Sequence, residues 1–466
     1  MKQIKFGTDG WRAIIAKDYT TDNVARVSIA TANWLKEKFK NPSVVIGHDC
    51  RFAGELFAET TAKVMAIQGI AVKLAKGFVS TPMVSLGVVK ENASLGVVIT
   101  ASHNPPSYNG FKLKGDFGGP LLQTDITDIE NKIPDVNTID YDDVTIAYLV
   151  SEGKINYIDL ENLYCKHVEK NFDISAIRKS KMNFAYDSMY GAGMNAVKRL
   201  LPDATLLHCS DNPGFHGISP EPIHRNLHEF SELMRDNNLD CGLATDGDAD
   251  RIGLYDRNGN FIDSHHIILL LIHYLVKYKG MKGKVVTAFS CSVKVKQMCN
   301  HYGLSHETVK IGFKNIAARM VNEYILLGGE ESGGIATAEH IPERDGIWIG
   351  LTLFEFMAKS GKSLDELINE IYSIVGVFAF ERIDLHIDNT QKDKIIYNCK
   401  EGRYTKFGKY TVERVESIDG YKFFFDKDSW LMIRPSGTEP VLRTYAEAST
   451  KEKVFDILSA CKSTII

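Results

Sequence analysis

The feature that most constrains this chain is an alternation of short, fully apolar runs with amphipathic segments of helical length. Val44-Val45-Ile46, Ile70-Ala71-Val72 and Leu95-Gly96-Val97-Val98-Ile99 read as buried strands, and segments 22–39 and 54–68 between them carry apolar residues at helical spacing. Strands apolar on both faces belong to parallel or mixed sheets covered by helices. The alternation restarts near Met182, with a strand to Asp187 and a helix from about 191, and again near Lys284, with a strand to Phe289 and a helix from about 292. After about residue 375 the pattern changes. Candidate strands cluster at 376–387, 411–415, 421–425, 429–434 and 441–447, and a helix closes at 451–462. The pattern predicts an α/β chain: three similar mixed-sheet α/β domains over 1–150, 151–256 and 257–372, then a smaller C-terminal α+β domain over 373–466. No Pro- or Ser-rich linker separates them, so direct packing is expected.

Charge narrows the function classes. The chain has 55 Lys+Arg against 59 Asp+Glu, a net charge of −4, which argues against a broadly basic nucleic-acid binder. A small anionic ligand responds to local charge and stays open. The 8 cysteines are scattered without a C-x-x-C, as expected of free thiols in a reducing compartment. No apolar run approaches the roughly 18 residues of a membrane span, and Met1–Phe6 lack a signal-peptide core. A cytoplasmic protein with no membrane or nucleic-acid partner is the expectation.

Several segments carry chemistry. Thr100-Ala101-Ser102-His103-Asn104-Pro105-Pro106 follows the strand 95–99. The C-terminal end of a sheet strand is where open α/β folds place ligands. Ser102 is a candidate nucleophile, His103 and Asn104 are candidate oxyanion or phosphate ligands, and Lys112 is a candidate general acid or base. The same segment also suits an ordinary turn with a capping serine. No Gly-x-Ser-x-Gly surrounds Ser102, so a hydrolase elbow is not indicated. Asp246-Gly247-Asp248-Ala249-Asp250-Arg251 sets three carboxylates at alternate positions, which repel unless a cation joins them. Oxygen ligands favour Mg²⁺ or Ca²⁺, and a solvated acidic turn is the other reading of the segment. An EF-hand is excluded, because Arg251 and Arg257 stand where it needs Gly and Glu. Arg251 is placed to hold a phosphate that the metal also touches.

Arg434-Pro435-Ser436-Gly437-Thr438-Glu439-Pro440 reads equally as an anion nest and as a hairpin turn. Gly328-Gly329-Glu330-Glu331-Ser332-Gly333-Gly334 offers carboxylates to sugar hydroxyls, or is a solvent loop. Gly361-Lys362-Ser363 is no phosphate loop, since Phe356 stands at its first glycine. Gly191-Ala192-Gly193-Met194-Asn195-Ala196, with Asp211 about 20 residues on, is the argument for a nicotinamide oxidoreductase. Arg12 sits on a glycine turn, and Lys310 and Lys314 sit at a strand-to-helix junction.

Phosphate chemistry accounts for the set, and in its segments the chain resembles the α-D-phosphohexomutase superfamily, the phosphoglucomutase/phosphomannomutase group. The matching segments are F-G-T-D-G-W-R at 6–12, T-A-S-H-N-P-P at 100–106, D-G-D-A-D-R at 246–251, G-E-E-S-G at 329–333 and R-P-S-G-T-E-P at 434–440, in the family's order. The resemblance implies four domains around a central cleft, with Ser102 as the phosphoserine. Asp246, Asp248 and Asp250 would hold Mg²⁺, with a Ser102 phosphate oxygen as a further ligand. Lys112 and His103 would assist proton transfer, and Arg12 and Arg251 would steady the transferring phosphate. Glu330 and Ser332 would bind sugar hydroxyls. Arg434, Ser436, Gly437 and Thr438 would grip the other phosphate, with Lys310 contributing to the same cleft.

The implied reaction interconverts hexose 1-phosphate and hexose 6-phosphate through a bisphosphorylated sugar, with hexose 1,6-bisphosphate as activator and a monomer or homodimer as the working form. Some relatives carry His after Gly333, and many carry Gly at the position of Ala249. The loop here leans toward glucose or mannose and away from glucosamine. Phosphoglucosamine mutase and phosphopentomutase are alternatives within the family. A non-catalytic sugar-phosphate binding protein is the alternative outside it.

Overall fold

A computed structural model describes residues 3–435 and 441–466. They form two compact units, Met1–Ile267 with Gly312–Glu366, and Ile268–Ile311 with Leu367–Ile466. The first unit opens on a six-stranded sheet. Its spatial order is Trp11–Ile14, Tyr108–Gly115, Leu95–Ile99, Ser43–His48, Ala71–Ala75 and Ile155–Ile158. The last four strands run parallel, and Tyr108–Gly115 is antiparallel to both of its neighbours. Val44, Ile46, Leu95, Val97 and Ile99 are wholly buried, as their apolar runs predict. Helix Thr21–Lys38 is N-capped by Thr20, whose hydroxyl accepts from Asn23 N–H, and it packs beside helix Gly54–Ile67.

A second sheet in this unit has the order Phe261–Ile262, Ile252–Asp256, Cys241–Thr245, Phe184–Asp187 and Thr205–Leu207. Cys241–Thr245 and Ile252–Asp256 are antiparallel, with Thr245 opposite Ile252, so residues 246–251 form a tight connection. An antiparallel hairpin, Ile325–Gly329 with Ile335–Thr337, carries the Glu330 loop. Helix Gly346–Ser360 is apolar on most of its surface and buried accordingly. Asp345 caps it by accepting from Trp348 N–H.

The second unit contains the parallel pair Lys284–Ala288 and His306–Val309. It also contains an antiparallel five-stranded sheet: Ala379–His386, Val441–Ala448, Trp430–Pro435, Tyr421–Phe424 and Arg414–Glu416. Helix Lys451–Ile465 closes it, burying Val454, Ile457 and Leu458 against Leu431, Ile433 and Leu442. All eight cysteines are free, and seven are buried. Among the described residues no helix is long and apolar enough to cross a membrane.

Two elements differ from the periodicity reading. Helix Asn389–Lys400 has no periodicity signal, because it buries only Ile395 and Cys399 and so shows almost no apolar stripe. Strand Tyr108–Gly115 was hidden by its polar residues. Asn109, Lys112 and Lys114 are as buried as Phe111, because both faces of the strand are covered.

Gly110 lies on this inner strand. A Cβ there would stand 2.5 Å from Thr100 O and 2.8 Å from Trp11 O, backbone atoms on both sides. Gly110→Ala is expected to destabilise the chain by about 1–3 kcal/mol, read as a lower urea midpoint by circular dichroism; an unchanged midpoint would refute the packing described.

Candidate active site

The 246–251 turn is built to hold its carboxylates inward. Ala249 takes φ 55°, a left-handed conformation that favours glycine. Asp246 Oδ1 accepts from the N–H groups of Asp250 and Arg251, each at 3.0 Å. The three carboxylates are fully buried, and one ligand oxygen from each lies within 4.8 Å of the others. Asp248 Oδ2 accepts from Thr81 Oγ1 at 2.5 Å and from Lys112 Nζ at 2.7 Å. Asp250 Oδ2 faces Lys112 Nζ at 3.1 Å and Arg344 Nη2 at 2.7 Å. The remaining oxygens, Asp248 Oδ1 and Asp250 Oδ1, are buried with no hydrogen-bond partner in the protein. Burial, followed by repulsion from Asp248 and Asp250, pushes the Asp246 carboxyl well above its usual range. A hard divalent cation suits this set: anionic oxygens only, and two of them uncommitted.

Ser102 meets this turn directly. Its hydroxyl donates to Asp246 Oδ2 at 2.7 Å and lies 3.3 Å from His103 Nδ1. The loop is close to the acidic turn in its backbone too, since a Cβ on Gly247 would stand 2.7 Å from Ser102 O. Arg12 Nη1 donates to Asn104 Oδ1 at 2.7 Å. Burial, then the positive field of Arg251, Arg12 and Lys112, holds the His103 imidazole well below its usual range, so it is neutral. Arg251 Nη1 lies 3.7 Å from Glu221 Oε1, while its Nε has no partner.

Lys112 is the counter-charge of the site. Burial works against its ammonium, but Asp248, Asp250 and Asp9 overcome this and hold it above its ordinary range. Asp9 Oδ2 lies 2.9 Å from Lys112 Nζ and 2.5 Å from Arg344 Nη2.

The Glu330 loop docks on the same turn. Gly333, at φ 87°, accepts from Ile252 N–H at 3.1 Å, and a Cβ on it would lie 2.5 Å from Ile252 O. Glycine is required there because two backbones touch. Glu330 Oε1 accepts from Gly312 N–H at 3.0 Å, and burial raises its carboxyl to about 7 against the opposing pull of Arg344. Ser332 sits half-buried in the loop.

The first unit thus brings together Ser102, His103, Lys112, Arg12, Arg251, the three aspartates and the Glu330 loop. Lys310 and Arg434 belong to the second unit. There, Asp419 Oδ1 lies 3.1 Å from Arg434 Nε, and its Oδ2 accepts from Ile311 N–H at 3.0 Å, drawing the 310–311 segment and Arg434 onto one carboxylate. Ser436, Gly437 and Thr438 lie outside the described residues.

Comparison with known proteins decides the family. Sequence models of the phosphoglucomutase/phosphomannomutase α/β/α domains I, II and III match residues 3–139, 162–259 and 263–375, and the model of the C-terminal domain matches 398–460. The chain is 31% identical over 430 residues to a phosphoglucosamine mutase of Methanococcus maripaludis, covering 90% of each. The chain belongs to the phosphoglucomutase/phosphomannomutase family, within the α-D-phosphohexomutase superfamily. Another relative is a phosphoglucomutase/phosphomannomutase of Thermococcus kodakarensis, 29% identical over 460 residues, 97% of this chain and 96% of the other. A solved Thermus thermophilus protein, named a "putative phosphomannomutase", superposes with a TM-score of 0.88 at 31% identity, covering 100% and 99% of the two chains. Family members are phosphosugar mutases.

In this family member the Gly191-Gly193 turn has a local explanation. A Cβ on Gly191 would stand 2.7 Å from Asp246 O, and one on Gly193 would stand 2.2 Å from the Tyr186 hydroxyl. The glycines admit the acidic turn where a dinucleotide site would need open space. The sequence reading missed Asp9, Arg344 and Thr81. Asp9 stands inside the matching 6–12 segment, in which only Arg12 carries an expected role. Arg344 and Thr81 carry no motif, and only the fold brings them to the aspartates.

Lys112→Met leaves three buried carboxylates short of their cation. In the metal-free protein this is expected to cost about 3–5 kcal/mol near pH 7. The pairing depresses the Asp248 and Asp9 carboxyls, so its contribution is present above the ordinary carboxylate range and lost in acid. The gap between wild type and variant should narrow as pH falls below about 4, measured by denaturant unfolding; a gap independent of pH would refute the assignment.

Proposed function

We propose that this chain is a Mg²⁺-dependent mutase interconverting hexose 1-phosphate and hexose 6-phosphate, of glucose and/or mannose, through phospho-Ser102 and a bisphosphorylated sugar. The observation that carries the reading is the 2.7 Å contact from Ser102 Oγ to Asp246, within a turn whose other two aspartates each keep one buried oxygen uncommitted. Asp246, Asp248, Asp250 and an oxygen on Ser102 would hold Mg²⁺, which when bound supplies positive charge against that developing on the transferring phosphoryl group.

The protein's own groups divide the remaining work. Transfer breaks the bond from Ser102 Oγ to phosphorus and forms one from the sugar oxygen, whose proton must leave. His103, 3.3 Å from Ser102 Oγ, and Lys112 assist the passage of this proton from the sugar oxygen to the departing serine oxygen. Arg12 and Arg251 steady the phosphoryl oxygens, and Glu330 and Ser332 receive sugar hydroxyls. By family resemblance, Arg434, Ser436, Gly437 and Thr438, with Lys310, grip the non-reacting phosphate. Return of the other phosphoryl group to Ser102 completes the exchange, so hexose 1,6-bisphosphate primes the unphosphorylated protein. The eight free thiols suit a reducing, cytoplasmic setting. Monomer and homodimer both accommodate the reading.

The relatives named phosphoglucosamine mutase favour glucosamine phosphate as a second reading. A panel of glucose, mannose, glucosamine and pentose 1-phosphates, primed with the matching bisphosphate, separates the two. Turnover of the glucose or mannose ester by at least about 10-fold over the glucosamine ester is expected, and the reverse order would assign the second reading.

Ser102→Ala should lower kcat by at least about 10³-fold in that assay, and chelation of divalent cations should abolish turnover reversibly. Retained activity in the variant would remove Ser102 as nucleophile. Glu330 receives hydroxyls best when ionised, and burial sets its carboxyl at about 7. The kcat/KM value should therefore rise with pH through an inflection near that value, and Glu330→Gln should remove the inflection. An identical profile in the variant would detach Glu330 from substrate binding.

A further inference from the structure

Two strained backbone segments converge on one buried side chain that the proposed chemistry does not use. Ser102 takes φ 53°, a left-handed conformation that is costly for a residue with a side chain and persists only where its surroundings enforce it. The enforcement comes from Arg51, in the loop between strand Ser43–His48 and helix Gly54–Ile67. Its guanidinium is wholly buried. One terminal nitrogen donates to Ser102 O and Asn104 O, each at 2.6 Å, and the other to Pro105 O at 2.9 Å and Tyr108 O at 3.0 Å. Its Nε lies 3.4 Å from Asp49 Oδ2, and Asp49 in turn accepts from Thr100 Oγ1 and, at 2.9 Å, from Arg51 N–H. The 102–108 loop is therefore curled around one cation with its carbonyls turned inward, and that curl leaves the Ser102 side chain facing Asp246.

A face of the guanidinium is covered by Phe215, whose ring centre lies 5.0 Å from the Arg51 carbon. Phe215, His216 and Gly217 take φ 47°, 48° and 78°, three left-handed residues in a row, and the Phe215 ring is buried. A second costly backbone segment thus delivers an aromatic face to the same cation, where the ring attracts a desolvated guanidinium.

We propose that Arg51, backed by Phe215, is the positioning residue that sets Ser102 for phosphoryl transfer. The fork is essential to this role. Lysine brings the same charge as a point with three donors and cannot span carbonyls on both sides of the loop. The proposal rests on Ser102 being the phosphorylated residue, and the test separates the two. Full-length wild type, Arg51→Lys and Arg51→Ala are incubated with glucose 1,6-bisphosphate and Mg²⁺, and phosphorylation of Ser102 is timed by mass spectrometry. Wild type that gains no phosphate at Ser102 refutes the underlying reading before any variant is compared.

With wild type phosphorylated, Arg51→Lys should react about 100-fold more slowly, while its Kd for glucose 6-phosphate stays within about threefold. Guanidinium ion added at millimolar concentration should restore rate to Arg51→Ala, which a general loss of packing would not allow. A rate for Arg51→Lys within about threefold of wild type, or an Arg51→Ala defect that guanidinium leaves unchanged, overturns the proposal. Should the Arg51 variants not fold, Phe215→Leu keeps the cation and strips its aromatic face. A phosphorylation rate about 5–10-fold lower supports the proposal, and an unchanged rate overturns it.

Discussion

Three carboxylates lie buried within reach of one another in the first unit, and their mutual repulsion has to be met by positive charge. Lys112 meets it from one side and Arg344 from the other, with Asp9 joining the two cations. Each charge is fixed by a different stretch of chain: strand Tyr108–Gly115, the segment before helix Gly346–Ser360, and the glycine turn near residue 9. The network therefore specifies how these stretches sit together within the unit. It is also why Lys112 and Lys114 can occupy wholly buried positions at all, since Lys114 has its own partner in Glu343 at 2.6 Å. Removing any one member leaves the others as uncompensated charges in a medium that screens them poorly.

The balance leaves an uneven set of oxygens. Lys112, Thr81 and Arg344 take one oxygen each from Asp248 and Asp250, backbone N–H groups take one from Asp246, and what is left faces Ser102 or remains free. The protein thus commits half of each carboxylate to architecture. That division fixes the direction in which the other half points, which is what a small octahedral ion needs from its ligands.

Much of this was legible from residue order. The apolar runs at 44–46 and 95–99 could only be inner strands, and the alternate aspartates read as a metal site or a solvated acidic turn, of which the complete burial of all three removes the second. Where reading failed, the cause was that the fold overrode local pattern. Strand Tyr108–Gly115 looks polar in sequence, yet its lysines are buried by long-range pairing. Thr81 reaches Asp248 across 167 residues of chain, and Arg344 reaches Asp250 from the far side of another sheet's worth of sequence, where no spacing rule operates. The Gly191-Gly193 turn misled in the opposite direction: its glycines were real signals of close approach, but the approaching object is the protein's own acidic turn.

The near-contact of Gly247 with the Ser102 carbonyl has an evolutionary corollary. Two loops separated by more than a hundred residues read each other through main-chain atoms, so neither can accept a bulkier residue at its contact point unless the other shifts in the same lineage. Drift at one is licensed only by matching drift at its counterpart, and recombination between distant homologues would succeed or fail as a pair of loops rather than as single positions.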